Sequence, residues 1–427
     1  MQMPLQVAEP INIQPPDPET ATKRSIRVMR IIDRLNLGGP ARHVLWLTAG
    51  LDQRFTSWLV TGSAAAGEVD LATDAALGGL DLTVIPEFSR ELHCLRDLSV
   101  FLKLLRLMWR IKPDVVHTHK AKAGALGRIA ALLYRWLTPS ALWLKPRKCI
   151  VIHTYHGHIF HSYYGRLKTK VFLVIERLLA RLATDCIIVL SKQQQREIVG
   201  TFKVGNRNRV EIIPLGLDCR ELCSSAGRFR AEHHIPATEQ LIGTAGRLCE
   251  VKNYSLFIQA AAILAKMPSQ HVRRFVVAGE GHLRTRLEEQ ARRLGIDNEV
   301  LFAGACREMG DFYADMDIVA LTSLNEGTPL VLLEAMACER PVVSTEVGGV
   351  VDIMGDRIER RTPFSVWNHG LTVPSGDPQA FAEALHFLLA NPELRREMGR
   401  NASAYVESQF CKSRLLTDIQ DLYAHML

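Results

Sequence analysis

The stretch Ser323-Leu-Asn-Glu-Gly-Thr-Pro-Leu-Val-Leu-Leu-Glu-Ala-Met-Ala-Cys-Glu-Arg-Pro-Val-Val-Ser-Thr345 sets two carboxylates, Glu326 and Glu334, around the start of a helix. Just upstream, Asp317-Ile-Val-Ala-Leu-Thr322 is apolar and β-prone, and Gly327 permits a tight turn. Thr328 suits an N-cap and Pro329 the first helical position, so a strand, a turn and a helix are predicted in that order. First-turn N–H groups lack intrahelical partners and the helix dipole is positive there, which suits this end to a phosphate. Glu326 is expected at the mouth of such a site. Glu334 is expected near the second turn, among Leu330, Val331, Leu333 and Met336. A helix needing only solubility would not require a carboxylate in so apolar a run. Taken alone, however, two glutamates eight apart read equally well as a loop charge and a solvated helix residue.

Outward from this stretch, strand-like apolar runs alternate with helical patterns along the whole chain. The first series is Ile26 to Ile32, Trp58 to Thr61, Leu82 to Ile85, Val115 to Thr118, Cys149 to Thr154, Cys186 to Leu190 and Val210 to Ile213. A second begins at Leu241 to Thr244 and continues through Arg274 to Ala278, Val300 to Ala303, Ile318 to Thr322, Pro341 to Ser344 and Gly370 to Val373. Alternation of this kind argues for parallel sheets wrapped by helices. Between the series, from Pro214 to Ala237, the rhythm breaks, so two α/β halves facing a cleft are expected. The last helix carries Phe410, Leu415, Leu416, Ile419, Leu422, Tyr423 and Leu427, a partly helical apolar stripe that must pack on something.

With 427 residues, 47% of them apolar, the chain can supply two sizeable cores. Nine cysteines are scattered with only Cys219 and Cys223 close together, which suits reduced thiols in a cytoplasm better than a disulfide framework. The Pro-rich residues 1–24 read as a disordered lead-in without the basic-then-apolar pattern of a signal peptide. No apolar run is long enough to span a bilayer. Between Asp114 and Glu176 there is no acidic residue, while basic residues from Lys120 to Lys170 are interleaved with Leu132, Leu133, Tyr134, Trp136, Leu137, Leu142, Trp143 and Leu144. Cations attract anionic headgroups and rings enter the boundary, so peripheral contact with an anionic membrane, at the inner face of the cell membrane, is expected. The alternative is an ordinary helix whose Trp and Leu face the core. Nucleic-acid binding is not expected, because no recognised binding motif accompanies the charge.

Several turns carry chemistry suited to an anion. Gly243-Thr-Ala-Gly-Arg-Leu-Cys-Glu-Val-Lys-Asn253 places Arg247 and Lys252 after a predicted strand. A guanidinium forks onto two oxygens and an ammonium supplies a mobile point charge, so the pair suits a diphosphate. Gly279 and Gly281 are expected to shape a neighbouring turn, and Gly348 with Gly349 another. Gly38 and Gly39 allow close backbone approach before a helix from about Ala41. His117-Thr-His-Lys-Ala-Lys122 follows a strand and offers His119, Lys120 and Lys122. Four histidines fall within His153-Thr-Tyr-His-Gly-His-Ile-Phe-His161, but no Cys or acid accompanies them, and a metal site is not expected. Asp315-Met-Asp317 is a D-x-D, a pattern that can hold a divalent ion; ending one helix and opening a strand, it is read as a junction turn.

Taken together, the Glu326 to Glu334 spacing, the Gly246-Arg247-Leu248 to Lys252 element, Gly38-Gly39 and the Thr154-x-His156-Gly segment resemble the family 4 retaining glycosyltransferases of GT-B fold. That resemblance spans residues 26 to 427 and implies two Rossmann-like domains, with the terminal helix crossing back to the first. It implies boundaries of 25–218 for an acceptor-side domain, 219–408 for a nucleotide-sugar-binding domain and 409–427 for the crossover helix. It further implies a nucleotide-diphosphate sugar as donor substrate, no cofactor and no metal, with Arg247 and Lys252 on the diphosphate. Gly38, Gly39, Gly327, Thr328, Pro329 and Leu330 would line the donor, and Glu334 would hold the ribose hydroxyls. Glu326 and His156 would meet the transferred sugar, and His119, Lys120 and Lys122 would face a lipid-linked or polysaccharide-precursor acceptor. A nucleotide-sugar 2-epimerase of related fold and a non-catalytic membrane-binding scaffold remain alternatives. A phosphorylase would need a pyridoxal-bearing lysine that nothing singles out.

Overall fold

The computed structural model describes residues 24–36, 39–63, 71–89, 91–143, 145–156, 166–222, 226–306 and 308–427. Gly38, Cys223, His158, His161 and the Pro-rich lead-in therefore lie outside the described residues.

Two sheets organise the chain. The first has seven parallel strands, in the edge-to-edge order Leu82–Val84, Phe55–Thr61, Ile26–Ile31, Val115–His119, Ile150–Thr154, Cys186–Val189 and Val210–Ile212. The second has eight, in the order Val300–Gly304, Arg273–Ala278, Gln240–Ala245, Ile318–Leu321, Val342–Thr345, Gly370–Val373, Phe364–Trp367 and Arg357–Arg361. The central strands read as continuous apolar runs because helices cover both faces of each sheet, and Val28, Val116, Ile242 and Val319 are fully buried. The antiparallel pair that ends the second sheet, Arg357–Arg361 with Phe364–Trp367, is absent from the sequence reading. Its outer member is exposed along its whole length and rich in arginine, an edge strand with no apolar run to announce it.

Among the parallel strands of each sheet the order reverses once, between Ile26–Ile31 and Val115–His119 in the first and between Gln240–Ala245 and Ile318–Leu321 in the second. Loops leaving the carboxyl ends of strands diverge at such a switch point and leave a crevice. The loops at these two crevices are those that carry Gly39, His119, Arg247, Lys252 and Glu326.

The chain crosses between the halves twice, side by side. Leu217 pairs in parallel with Cys411, its amide donating to the Phe410 carbonyl at 2.6 Å and its carbonyl accepting from the Lys412 amide at 2.8 Å. After the crossing, the helix Lys412–Met426 sets Leu415, Ile419 and Tyr423 into the core of the first sheet with Val28, Val115, Ile152 and Ile188. The helix before it, Pro392–Phe410, packs on the helix Leu330–Ala337 of the second half. Among the described residues no helix is long and apolar enough to cross a membrane.

Candidate functional site

The helix after the opening stretch runs Leu330–Ala337, one residue later than the caps suggested. Pro329 has an extended ψ of 101° and its carbonyl accepts from the Leu332 and Leu333 amides, so Pro329 is the N-cap and Thr328 lies outside the helix. Glu334 still falls in the second turn. Tyr313 Oη donates to its Oε2 at 2.8 Å, and Arg42 of the first half approaches Oε1 at 3.9 Å. Burial pushes the Glu334 carboxyl above its ordinary range, with the Tyr313 bond and the Arg42 charge pulling the other way.

Glu326 sits in a loop strapped to its neighbours. Thr322 Oγ1 donates to the Lys252 carbonyl at 3.1 Å, the Leu324 amide to the Val251 carbonyl at 2.8 Å, and Thr345 Oγ1 to the Ser323 carbonyl at 2.7 Å. Ser323 Oγ and Lys252 Nζ both donate to Glu326 Oε1 at 2.6 Å. The acidic stretch and the basic turn, some seventy residues apart, thus form one cluster. Gly349 donates its amide to the Glu326 carbonyl at 3.1 Å. A Cβ on Gly348 would overlap the Glu326 carbonyl oxygen, and one on Gly349 the Gly327 carbonyl oxygen.

Arg247 is exposed at the head of its turn and shows no side-chain hydrogen bond or ion pair among the described residues. Gly279 and Gly281 lie backbone to backbone on Gly246 and Leu248, so the turn they belong to, after the strand Arg273–Ala278, is seated directly against the Arg247 turn. Across the crevice, a Cβ on Gly39 would run into the Leu330 side chain, which sets the first-half turn directly against the start of the second-half helix.

The histidines of the first half converge. His119 ends the strand Val115–His119, His156 follows the strand Ile150–Thr154, and their Nδ1 and Nε2 atoms are 2.9 Å apart. His43, on the helix Gly39–Ala49, brings its ring to 5.0 Å from that of His156. Burial lowers all three well below the ordinary imidazole range, His43 to about 3 with help from the Arg30 and Arg414 charges, so they are neutral. Both ring nitrogens of His43 and Nε2 of His119 are buried without a hydrogen-bond partner. One ligand atom from each of the three falls within 4.8 Å of the others, the geometry that could take a metal ion. The buried Arg30 charge beside them works against a dication, and among the described residues no carboxylate backs the rings. His117 lies beneath, its ring 4.2 Å from that of His119, bonded through Nδ1 to Tyr423 Oη at 2.6 Å and through Nε2 to Thr154 Oγ1 at 2.7 Å.

Lys120 and Lys122 are not presented as bare charges. Lys120 Nζ lies 3.1 Å from Asp33 Oδ1 and donates to the Arg34 carbonyl, and Lys122 Nζ lies 2.6 Å from Asp97 Oδ1. Asp315 and Asp317 serve the junction. Asp315 accepts from the Gly227 and Arg230 amides, and Asp317 from the Leu241 amide and Arg395. Sequence reasoning missed Arg42, His43, Tyr313 and Ser323. The first two were within reach, since a helix opened by Gly39 at a switch point aims its first turn into the crevice.

The family described as glycosyl transferases group 1 matches residues 226–405, and the glycosyl transferase 4-like domain matches residues 38–216. An Escherichia coli UDP-Gal:alpha-D-GlcNAc-diphosphoundecaprenol alpha-1,3-galactosyltransferase is 24% identical over 347 residues, covering 80% of this chain and 83% of that protein. The capsular polysaccharide biosynthesis glycosyltransferase CapM of Staphylococcus aureus is 24% identical over 346 residues, covering 80% and 84%. Among solved structures, Anabaena HepE in complex with UDP-glucose superposes with a TM-score of 0.72 at 19% identity, covering 94% of this chain and all of that one. WaaG, a glycosyltransferase of lipopolysaccharide biosynthesis, superposes with a TM-score of 0.67 at 18% identity, covering 93% and 99%. These superpositions establish the GT-B fold.

Proposed function

Because the chain belongs to the group 1 glycosyl transferases, with a glycosyl transferase 4-like first domain, we propose that it moves a sugar from a nucleotide-diphosphate donor onto a lipid-linked or polysaccharide-precursor acceptor. The relatives that act on, or are named for, such substrates support this reading. The observation that carries it is the Lys252 to Glu326 bond, which joins the cationic turn and the glutamate pair at one crevice.

In this reading the donor lies along the second sheet's switch point. Lys252 and Arg247 neutralise the diphosphate, with the start of the Leu330–Ala337 helix beside it and Gly327, Thr328, Pro329 and Leu330 lining it. Glu334 accepts hydrogen bonds from the ribose hydroxyls, and its opposition to Arg42 ties ribose binding to the approach of the first half. Glu326 and His156 hold the transferred sugar. No metal is needed in this scheme, since two cationic side chains stand where the leaving charge develops. The anomeric configuration is retained by front-face substitution. The acceptor hydroxyl attacks from the side on which the diphosphate leaves, and a phosphate oxygen takes its proton. His119 and His156, neutral and able both to donate and to accept, orient the acceptor hydroxyl. Lys120 and Lys122 frame that side through their carboxylate partners. The units 25–218, 219–408 and 409–427 correspond to acceptor side, donor side and crossover helix. The enzyme works in the cytoplasm at an anionic membrane surface.

The test is Glu326→Ala. Transfer is expected to fall at least about a hundredfold with the thermal transition and vesicle binding intact. Unchanged transfer from a folded variant would overturn the assignment of Glu326.

A further inference from the structure

Fourteen of the twenty large apolar side chains left exposed among the described residues lie between Leu92 and Leu182, so the bare apolar surface is concentrated in one region. That region supplies the helices Cys94–Ile111, Ala121–Trp136 and Arg166–Leu182, the middle one packed against both others. Their three crossovers move in the same direction across the first sheet. Right-handed connections therefore put all three helices on one face.

The outward sides of the flanking helices are apolar at helical spacing. Cys94–Ile111 buries Val100, Leu104 and Met108 but turns Leu95, Leu98 and Leu102 to solvent, Leu95 being 76% exposed. Arg166–Leu182 turns out Val171, Val174, Ile175, Leu178 and Leu182, the last 61% exposed, while Leu179 and Ala180 face inward. These are stripes of the width a helix normally buries, not isolated residues. Arg96, Arg106 and Arg110 flank the first stripe, and Lys170, Arg177 and Arg181 the second, all exposed. The acids of the same two helices are turned to other uses. Glu176 is buried on Arg128 at 2.7 Å, and Asp97 is paired with Lys122. The charge that remains outward is positive.

We infer that this three-helix face seats the protein on an anionic lipid surface, with the two stripes entering the headgroup boundary and the flanking cations meeting the headgroups. The inference rests on the reading above in that it names where a lipid-linked acceptor would be met. All three helices start at the carboxyl edge of the sheet, the edge that carries His119 and His156. It also extends the anchor expected from sequence. Within the Lys120 to Lys170 segment Tyr134 is buried and Leu132 and Leu133 are half-buried, but Trp136, Leu137 and Trp143 are exposed, and the stripes add apolar surface on the helices to either side.

The experiment uses the full chain, sedimented with phosphatidylcholine vesicles with and without phosphatidylglycerol. Binding is expected only with the anionic lipid and is expected to be released by high salt. Val174→Glu with Leu178→Glu, and separately Leu98→Glu with Leu102→Glu, change exposed positions and should leave the thermal transition unchanged. Each pair is expected to lower vesicle affinity roughly tenfold or more, since a few apolar contacts are replaced by like-charge repulsion. Transfer to a short water-soluble acceptor is expected to be kept, so that failure here is read separately from failure of the glycosyltransferase scheme. Vesicle binding untouched by both pairs would overturn the inference. So would a parent that ignores vesicles and forms a dimer that the glutamates split.

Discussion

Glu334 holds a carboxylate where its charge is disfavoured, and the sign of that effect is testable. An unfolded glutamate titrates at about 4.3. In the folded chain, burial raises the value, so ionisation weakens the native state as pH climbs through the two values. Below the unfolded value both states are protonated and the difference vanishes. Glu334→Gln is therefore expected to raise the melting temperature at pH 7 and to leave it unchanged near pH 4. The same variant should weaken nucleotide binding roughly tenfold to a hundredfold, because a charge-assisted hydrogen bond to a ribose hydroxyl is replaced by a neutral one. Calorimetry at the two pH values and nucleotide titration check both halves. A buried acid that costs stability and is nonetheless present is the pattern a binding role leaves. Part of this was legible: a carboxylate in the run Leu330 to Met336 is visible on sight. The raised value was not, because it depends on how deeply the packed structure buries the carboxyl, against the opposing pull of Tyr313 and of Arg42 from another half of the chain.

The turns that carry the charged residues are glycine-built for reasons of contact as well as conformation. Gly348 has a φ of +53° and lies on the Glu326 carbonyl. Gly348→Ala meets both a left-handed backbone, roughly 1–2 kcal/mol for an L-residue, and a backbone collision that no rotamer relieves. A loss of more than about 2 kcal/mol in urea unfolding is expected, with transfer falling as the Glu326 loop is displaced. A variant as stable and active as the parent would mean that the loop has slack the structure does not show. The sequence located these turns through their glycines and the strands before them. It misplaced the helix start by one residue, since Thr-Pro at a helix entry is compatible with either residue as cap. The carbonyl that receives the first helical bonds, that of Pro329, decided it. The edge hairpin Arg357–Arg361 with Phe364–Trp367 escaped because solvent covers one strand, leaving no apolar pattern to read.

At the scale of the whole molecule, the terminal helix does more than fasten the halves together. Arg30, fully buried, donates to Tyr423 Oη at 3.4 Å, and a guanidinium can only donate. Having accepted from Arg30, Tyr423 keeps its own O–H to donate to Nδ1 of His117; that arrangement leaves Nε2–H of His117 for Thr154 and would favour one tautomer under the His119 to His156 pair. Tyr423→Phe keeps the ring packing but strips both partners. It is expected to cost about 1–3 kcal/mol in denaturant unfolding. It should also lower transfer, whereas an Ile419→Val control on the same helix should cost about 1 kcal/mol and leave transfer unchanged. What the sequence alone determined is the existence of two α/β halves, the turns at their strand ends and the residues with phosphate chemistry. These are readable because strand burial and glycine turns leave local patterns. Only the tertiary structure decided that Lys252 grips Glu326, that Arg42 and His43 face the crevice, that Lys120 and Lys122 are already paired, and that Tyr423 supports the histidines. Each of those is a contact between segments far apart in the chain, and no spacing within one segment encodes which distant side chain will meet it.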